Sequence, residues 1–118
     1  MIKVAIIGLG IMGRRMLQHM RIHEKFEPNY LWDPDKTACQ KAVEIDSEAK
    51  IMNSPEEAID GADLVYLACP PQVREAHAIQ TAQKGKALFL EKPLGIDIDH
   101  SKSLINKLKG FNVPLAVN

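Results

Sequence analysis

Three groups of residues in this chain have the types and the spacing for chemistry. The first is Gly8-Leu9-Gly10-Ile11-Met12-Gly13, a G-x-G-x-x-G directly behind the apolar run Ile2 to Ile7. In that context Gly8 allows a tight turn, Gly10 lets backbone approach a ligand, and Gly13 lets the next helix pack close to the strand. The unpaired N–H groups at the helix start, around Ile11 and Met12, then suit a pyrophosphate. The second group is Asp33, twenty residues beyond Gly13 and at the end of the next apolar run. A carboxylate there can accept both hydrogen bonds of an adenosine ribose and repels a 2′-phosphate, which favours NAD over NADP. Each feature also has a plain structural reading, a glycine-rich turn and a turn aspartate ahead of Pro34. Arg14 and Arg15 fit either a phosphate contact or a solvated first turn.

The third group lies at the ends of two later apolar runs. Cys69-Pro70-Pro71 follows Leu64 to Ala68, and Glu91-Lys92-Pro93 follows Ala87 to Leu90. The prolines keep the chain extended beside a ligand and open the next helix without wasting an N–H. Cys69 has no base marked as its partner and fits a small apolar filler better than a nucleophile. Lys92, at the carboxyl end of a buried strand, can present its ammonium to a hydroxyl or carbonyl. Glu91 is expected to hold Lys92 by a charge-assisted hydrogen bond, and Lys92-Pro93 is a candidate cis peptide. By itself the tripeptide reads first as a charged turn before a helix.

The elements that must position these residues alternate between short apolar runs and helical patterns, the habit of a parallel α/β sheet. Strands are expected at Ile2 to Ile7, Asn29 to Trp32, Lys50 to Met52, Leu64 to Ala68, Ala87 to Leu90 and Val113 to Val117. Helices are expected from about Ile11 to His23, Asp35 to Ile45, Ser54 onward, Pro71 to Lys84, and Asp97 or Asp99 to Lys109. Met12, Met16 and Met20 recur on one face of the first helix, as a stripe packing onto the sheet. Ser54-Pro55-Glu56-Glu57 has the form of a capping box. Six strands separated mostly by helices are the inventory of a Rossmann-type doubly wound sheet, a three-layer αβα domain that binds ligands outside the carboxyl ends of its strands. Every residue singled out above lies just after a strand, on that edge.

Composition narrows the class further. The chain has 118 residues with 15 Lys+Arg against 15 Asp+Glu, 46% hydrophobic and 25% charged. That length predicts one domain spanning 1–118 and is too short for a two-domain dehydrogenase. Balanced charge argues against nucleic acid or an anionic membrane as main partner. No apolar run approaches the roughly 20 residues that span a bilayer, and Met1 to Gly10 lacks a leader pattern. Two cysteines, Cys39 and Cys69, are too few for a disulfide framework, consistent with a cytoplasmic protein. No metal is expected.

Taken in order, Gly8 to Gly13, Asp33, Pro70-Pro71, Gly85-Lys86 and Glu91-Lys92-Pro93-Leu94 resemble the Gfo/Idh/MocA oxidoreductases, a family that includes glucose–fructose oxidoreductase and inositol dehydrogenase. The similarity runs along the whole chain. It implies NAD(P)-dependent oxidation of a CH–OH group of a sugar, inositol or related polyol, or the reverse reduction. By the same resemblance Lys92 is the active-site lysine, Glu91 and Pro93 shape the turn around the nicotinamide ribose, and Cys69, Pro70 and Pro71 line the cofactor site. The family's remaining acid/base groups lie in a second, substrate-binding domain, which lies outside these residues, so the chain alone is expected to be inactive. Oligomers, where they form, are expected through that domain. The chain departs from the family at Arg74, where a histidine is usual, and His77 one turn on fits an ordinary helix residue. Ala87 replaces the polar residue common after Gly-Lys.

Rival readings remain from the sequence. Gly8 to Met16 also fits the start of a β-hydroxyacid dehydrogenase, which carries a Ser-Thr stretch where this chain has Glu91-Lys92-Pro93. A stand-alone, non-catalytic dinucleotide-binding or sensor domain needs no second domain. An S-adenosylmethionine-dependent transferase shares the glycine loop and the acidic residue but has no use for Lys92.

Overall fold

The computed structural model describes residues 1–118. Six parallel strands, β1 (Ile2–Ile7), β2 (Phe26–Trp32), β3 (Lys50–Ile51), β4 (Leu64–Leu67), β5 (Ala87–Leu90) and β6 (Leu115–Val117), form one sheet in the order β3-β2-β1-β4-β5-β6. Five helices connect them: α1 (Ile11–Arg21), α2 (Lys36–Ile45), α3 (Pro55–Gly61), α4 (Pro71–Gln83) and α5 (Ile98–Lys109). No helix is long and apolar enough to cross a membrane.

Alternation along β1 builds the three layers. Val4 and Ile6 face α1 and α2, where they pack with Leu17, Met20, Ala38 and Ala42. Ala5 and Ile7 face α3, α4 and α5, where they join Ile59, Ala78, Leu104 and Leu108. A strand covered on both faces has to be apolar throughout, and all four of these β1 residues are fully buried. Order reverses between β1 and β4, the switch point beyond whose carboxyl ends such a sheet keeps its ligand crevice.

Several boundaries differ from the sequence expectation for local reasons. β2 starts at Phe26, three residues before Asn29. Pro28 cannot donate to the ladder, and the strand accommodates it with a register shift opposite Lys3 to Ala5. α1 stops at Arg21 and not His23, because the His23 ring turns onto Phe26 with centroids 4.9 Å apart and accepts from the Lys25 N–H at 3.1 Å. Asp97, not Asp99, caps α5, accepting from the His100 N–H at 2.8 Å. Ser54 accepts from the Glu57 N–H at 3.2 Å as a cap should, but the Glu57 carboxylate closes onto the Asn53 N–H. The sixth strand is shorter than expected, Leu115–Val117. Of the methionine stripe only Met20 is fully in the core; Met16 packs at its margin and Met12 is exposed beside the crevice.

Candidate functional site

The crevice at the carboxyl edge is a cleft of about 500 Å³, within the range of small-molecule and cofactor sites. Gly8, Gly10, Met12, Asp33, Cys69, Pro70, Pro71, Glu91, Lys92 and Pro93 all line it. Ile11 and Gly13, also expected at a cofactor, stand at the start of α1 outside its wall; the Ile11 side chain is 69% exposed. The cleft is completed by Trp32, Pro34, Val73, Arg74 and His77.

The three glycines do distinct work. Gly8 has φ +100, and a Cβ on it would lie 2.5 Å from the Cys69 nitrogen, so the loops after β1 and β4 touch through a missing side chain. A Cβ on Gly13 would sit 1.9 Å from the Gly8 carbonyl oxygen, which is the close approach of helix to turn. A Cβ on Gly10 meets nothing within 4 Å, so this residue faces open space. Gly10 caps α1 without a side-chain hydrogen bond, and the first turn holds no acidic residue. The first N–H groups of α1 are therefore unpaired, and no acidic side chain of the first turn competes with an anion for them.

Asp33 stands at the end of β2 with its carboxylate already oriented. One oxygen accepts from the Leu9 N–H at 2.6 Å and the other from the Asp35 N–H at 2.8 Å. Each oxygen keeps a further lone pair for a ligand. Arg14 is turned inward, donating to the Leu9 carbonyl at 2.8 Å, whereas Arg15 is exposed with its guanidinium 4.0 Å from the Met12 sulfur. Cys69 is buried with its thiol pushed up by desolvation, which suits a filler and not a nucleophile.

At the end of β5 the expected Glu91–Lys92 pairing is not found. The Glu91 carboxylate accepts from the Tyr66 hydroxyl and, at 2.8 and 3.1 Å, from the Asn118 amide; it meets Lys92 only through the main-chain N–H at 3.3 Å. Burial would raise its pKa, but the bonds from Tyr66, Asn118 and Lys92 and the nearby Arg74 charge outweigh it and hold the carboxyl below its ordinary value. Lys92 is exposed and its ammonium has no protein partner. The Lys92-Pro93 peptide is cis.

Arg74, the departure from the family pattern, and His77, expected as an ordinary residue of its helix, both lie on α4 and line the cleft. Arg74 is buried and donates to the carbonyls of Cys69, Glu91 and Pro93. His77 packs edge-on to Trp32, centroids 6.2 Å apart, and its pKa is lowered by burial against a smaller opposing pull from Glu56. Their one-turn spacing on α4, on the helix that opens with Pro71, was the available signal.

A parallel sheet with this strand order, a glycine turn at its switch point and an acid at the end of β2 defines a dinucleotide-binding domain of the dehydrogenase kind. Residues 2–118 match the model of the oxidoreductase family with an NAD-binding Rossmann fold, Gfo/Idh/MocA, and the chain belongs to that family. That assignment sets aside the β-hydroxyacid dehydrogenase and transferase readings. The chain is 29% identical over 115 residues to an uncharacterized oxidoreductase of Streptococcus pneumoniae serotype 4 (strain ATCC BAA-334 / TIGR4), covering 96% of this chain and 30% of the relative. It is 26% identical over 118 residues to scyllo-inositol 2-dehydrogenase (NAD(+)) of Bacillus subtilis (strain 168), covering 95% and 34%. Among solved structures, myo-inositol dehydrogenase of Lactobacillus casei, in complex with NAD(H) and myo-inositol, superposes with a TM-score of 0.86 at 24% identity over 99% of this chain and 36% of that one. The chain thus spans about a third of the length of the curated relatives it matches.

Proposed function

We propose that this chain is the cofactor-binding half of a cytoplasmic oxidoreductase that transfers hydride between NAD and a CH–OH carbon of a sugar, inositol or related polyol. The observation that carries the reading is the convergence on one cleft of the Gly8–Gly10 turn, Asp33 and a lysine, Lys92, left without an internal partner. The residues present fit a dinucleotide. The open side of Gly10 and the unpaired N–H groups of α1 leave a place for a pyrophosphate, and Asp33 is held ready for a ribose diol. A fixed carboxylate at that position favours NAD over NADP, because a 2′-phosphate would be brought against it.

NAD supplies hydride transfer at its nicotinamide ring. The chain's own residues do the rest: Asp33 and the start of α1 orient the ligand, and Lys92 hydrogen-bonds the reacting substrate oxygen as its proton leaves or returns. A second domain, of the kind its longer relatives have room for, would supply the substrate pocket and any oligomer contact. By that reading residues 1–118 alone bind cofactor and turn over little.

Titration of the folded chain with NADH, followed by fluorescence, tests the reading. Saturable binding is expected; none at millimolar cofactor would sink it. Lys92→Ala is expected to leave NADH affinity within about twofold and stability within about 0.5 kcal/mol, as for a surface residue without partners. In the longer oxidoreductase the same change should lower turnover by roughly 10² or more, the scale of a proton-transfer group. Turnover that survives would make Lys92 structural.

A further inference from the structure

Arg74 is only 2% exposed and is the largest fully buried side chain of the domain, yet it belongs to neither the glycine loop nor the Glu91-Lys92-Pro93 turn. A guanidinium stays charged at any working pH, and burying it is costly unless its donors are satisfied. Here no carboxylate hydrogen-bonds it. One terminal nitrogen donates to the Glu91 carbonyl at 2.5 Å and to the Pro93 carbonyl, and the other donates to the Cys69 carbonyl at 2.5 Å. Its Nε has no partner, so the whole hold is through the two ends of the fork.

Those three carbonyls belong to two separate turns, one after β4 and one after β5, and both turns line the cleft. The carbonyls on either side of Lys92 point back at the same cation. The turn is therefore drawn inward through its main chain while the Lys92 side chain stays exposed. A well-packed apolar side chain could fill the same volume without the desolvation cost. What only a planar fork provides is a fixed direction to three acceptors at once.

We propose that Arg74 is the positioning residue of this site: it ties the Cys69–Pro71 turn to the Glu91–Pro93 turn and so sets Lys92 relative to the cofactor wall. The inference rests on the reading that the cleft takes a dinucleotide, and it adds the residue that holds the two halves of the cleft in place. Glu91 shares the task from the opposite side, since Tyr66 and Asn118 fix its side chain while Arg74 fixes its carbonyl.

The test uses the 118-residue chain, wild type and Arg74→Ala, with NADH affinity and amide exchange at Lys92 as readouts. Removing the guanidinium is expected to weaken NADH roughly tenfold or more, the scale of one charge-assisted hydrogen bond, and to speed exchange of the Lys92 N–H. Guanidinium chloride at sub-denaturing concentration should restore both, whereas equal potassium chloride or urea should not. A merely structural arginine would lower stability in Arg74→Ala while NADH affinity and the Lys92 exchange rate, corrected for that loss, stay at their wild-type values. Equal NADH affinity and unchanged exchange in Arg74→Ala overturns the proposal, as does a loss that guanidinium does not repair. If Arg74→Ala does not fold, Arg74→Lys, which keeps the charge but not the fork, should fold and still show faster exchange at Lys92; unchanged exchange there also overturns it. If the wild-type chain binds no NADH, the cofactor reading fails, and exchange with its guanidinium rescue decides the role of Arg74 separately.

Discussion

The Tyr66 hydroxyl, in the middle of β4, donates to the carboxylate of Glu91, the residue just beyond β5. Tyr66 is fully buried and its pKa is raised, first by desolvation and then by this bond to a carboxylate. The phenol therefore stays a donor across the physiological range, and the carboxylate stays an acceptor. Glu91 is thus spent on fixing the turn, leaving Lys92 free for a ligand.

Tyr66→Phe removes that donor and leaves a buried carboxylate oxygen dependent on Asn118 alone. The expected cost is about 1–3 kcal/mol, the range for losing a hydrogen bond to a charged group, measured by urea unfolding. The pH dependence has a definite sign. A carboxyl whose folded pKa lies below its unfolded value, near 4.3, contributes stability that is fully present above that value and is lost as pH falls through the folded pKa. Wild type should lose stability in that acid window, and Glu91→Gln should lose the corresponding slope.

Gly13 and Gly10 separate fold from function within one hexapeptide. Gly13→Ala drives a methyl to 1.9 Å from the Gly8 oxygen, backbone against backbone, and should cost more than about 4 kcal/mol or prevent folding. Gly10→Ala meets nothing within 4 Å and Gly10 has an ordinary φ of −70. It should leave stability within about 0.5 kcal/mol while weakening NADH roughly tenfold or more by occupying the space where a pyrophosphate approaches. Thermal melts and NADH titration on both variants check the contrast. Parallel losses in both would mean that Gly10 faces no ligand.

What could be seen in advance was local. The β1 run, the glycine turn, Asp33 and the two proline turns announce themselves within a few residues, and the cleft does assemble from them. The sheet order follows because alternating strands and helices leave few other topologies. Pro28 hid the first half of β2, since a proline argues against a strand unless a shift in pairing absorbs it. The partners of Glu91 and Arg74 were beyond reach for a different reason. Tyr66 lies 25 residues from Glu91, and Arg74 lies 17 and 19 residues from the carbonyls of Glu91 and Pro93. Nothing in the spacing of those residues marks them as neighbours. Glu91 beside Lys92 suggested an ion pair because adjacent opposite charges do, whereas two buried polar groups, Tyr66 and Arg74, had the stronger need for a partner.

Asp33 holds the Leu9 N–H and lines the proposed cofactor cleft, and the two roles should respond differently to substitution. Asp33→Ala leaves the buried Leu9 N–H without its acceptor and should cost about 1–3 kcal/mol in stability. Its effect on cofactor should be unequal: NADH loses a partner, while NADPH loses both a partner and a repulsion. NADH affinity is expected to fall by roughly tenfold with NADPH changed less, by parallel fluorescence titrations. Equal losses would remove Asp33 from the choice between the two.

His77 gives the domain a second acid-sensitive group, one whose charged form is the cation. Burial lowers its folded pKa beneath the ordinary value near 6.5, so the folded state binds fewer protons than the unfolded chain as pH falls past that point. By linkage, stability then declines with falling pH in the window just below 6.5, the opposite of a histidine that gains an acidic partner on folding. His77→Gln keeps a side chain of similar reach against Trp32 and should flatten that part of the profile while leaving the Glu91 acid limb in place. Because Trp32 and His77 both line the cleft, bound NADH should also protect His77 from protonation, and affinity should weaken as pH falls through the lowered folded pKa of His77 in wild type but not in His77→Gln. A profile unaltered by the substitution would show that His77 is solvated enough to titrate freely.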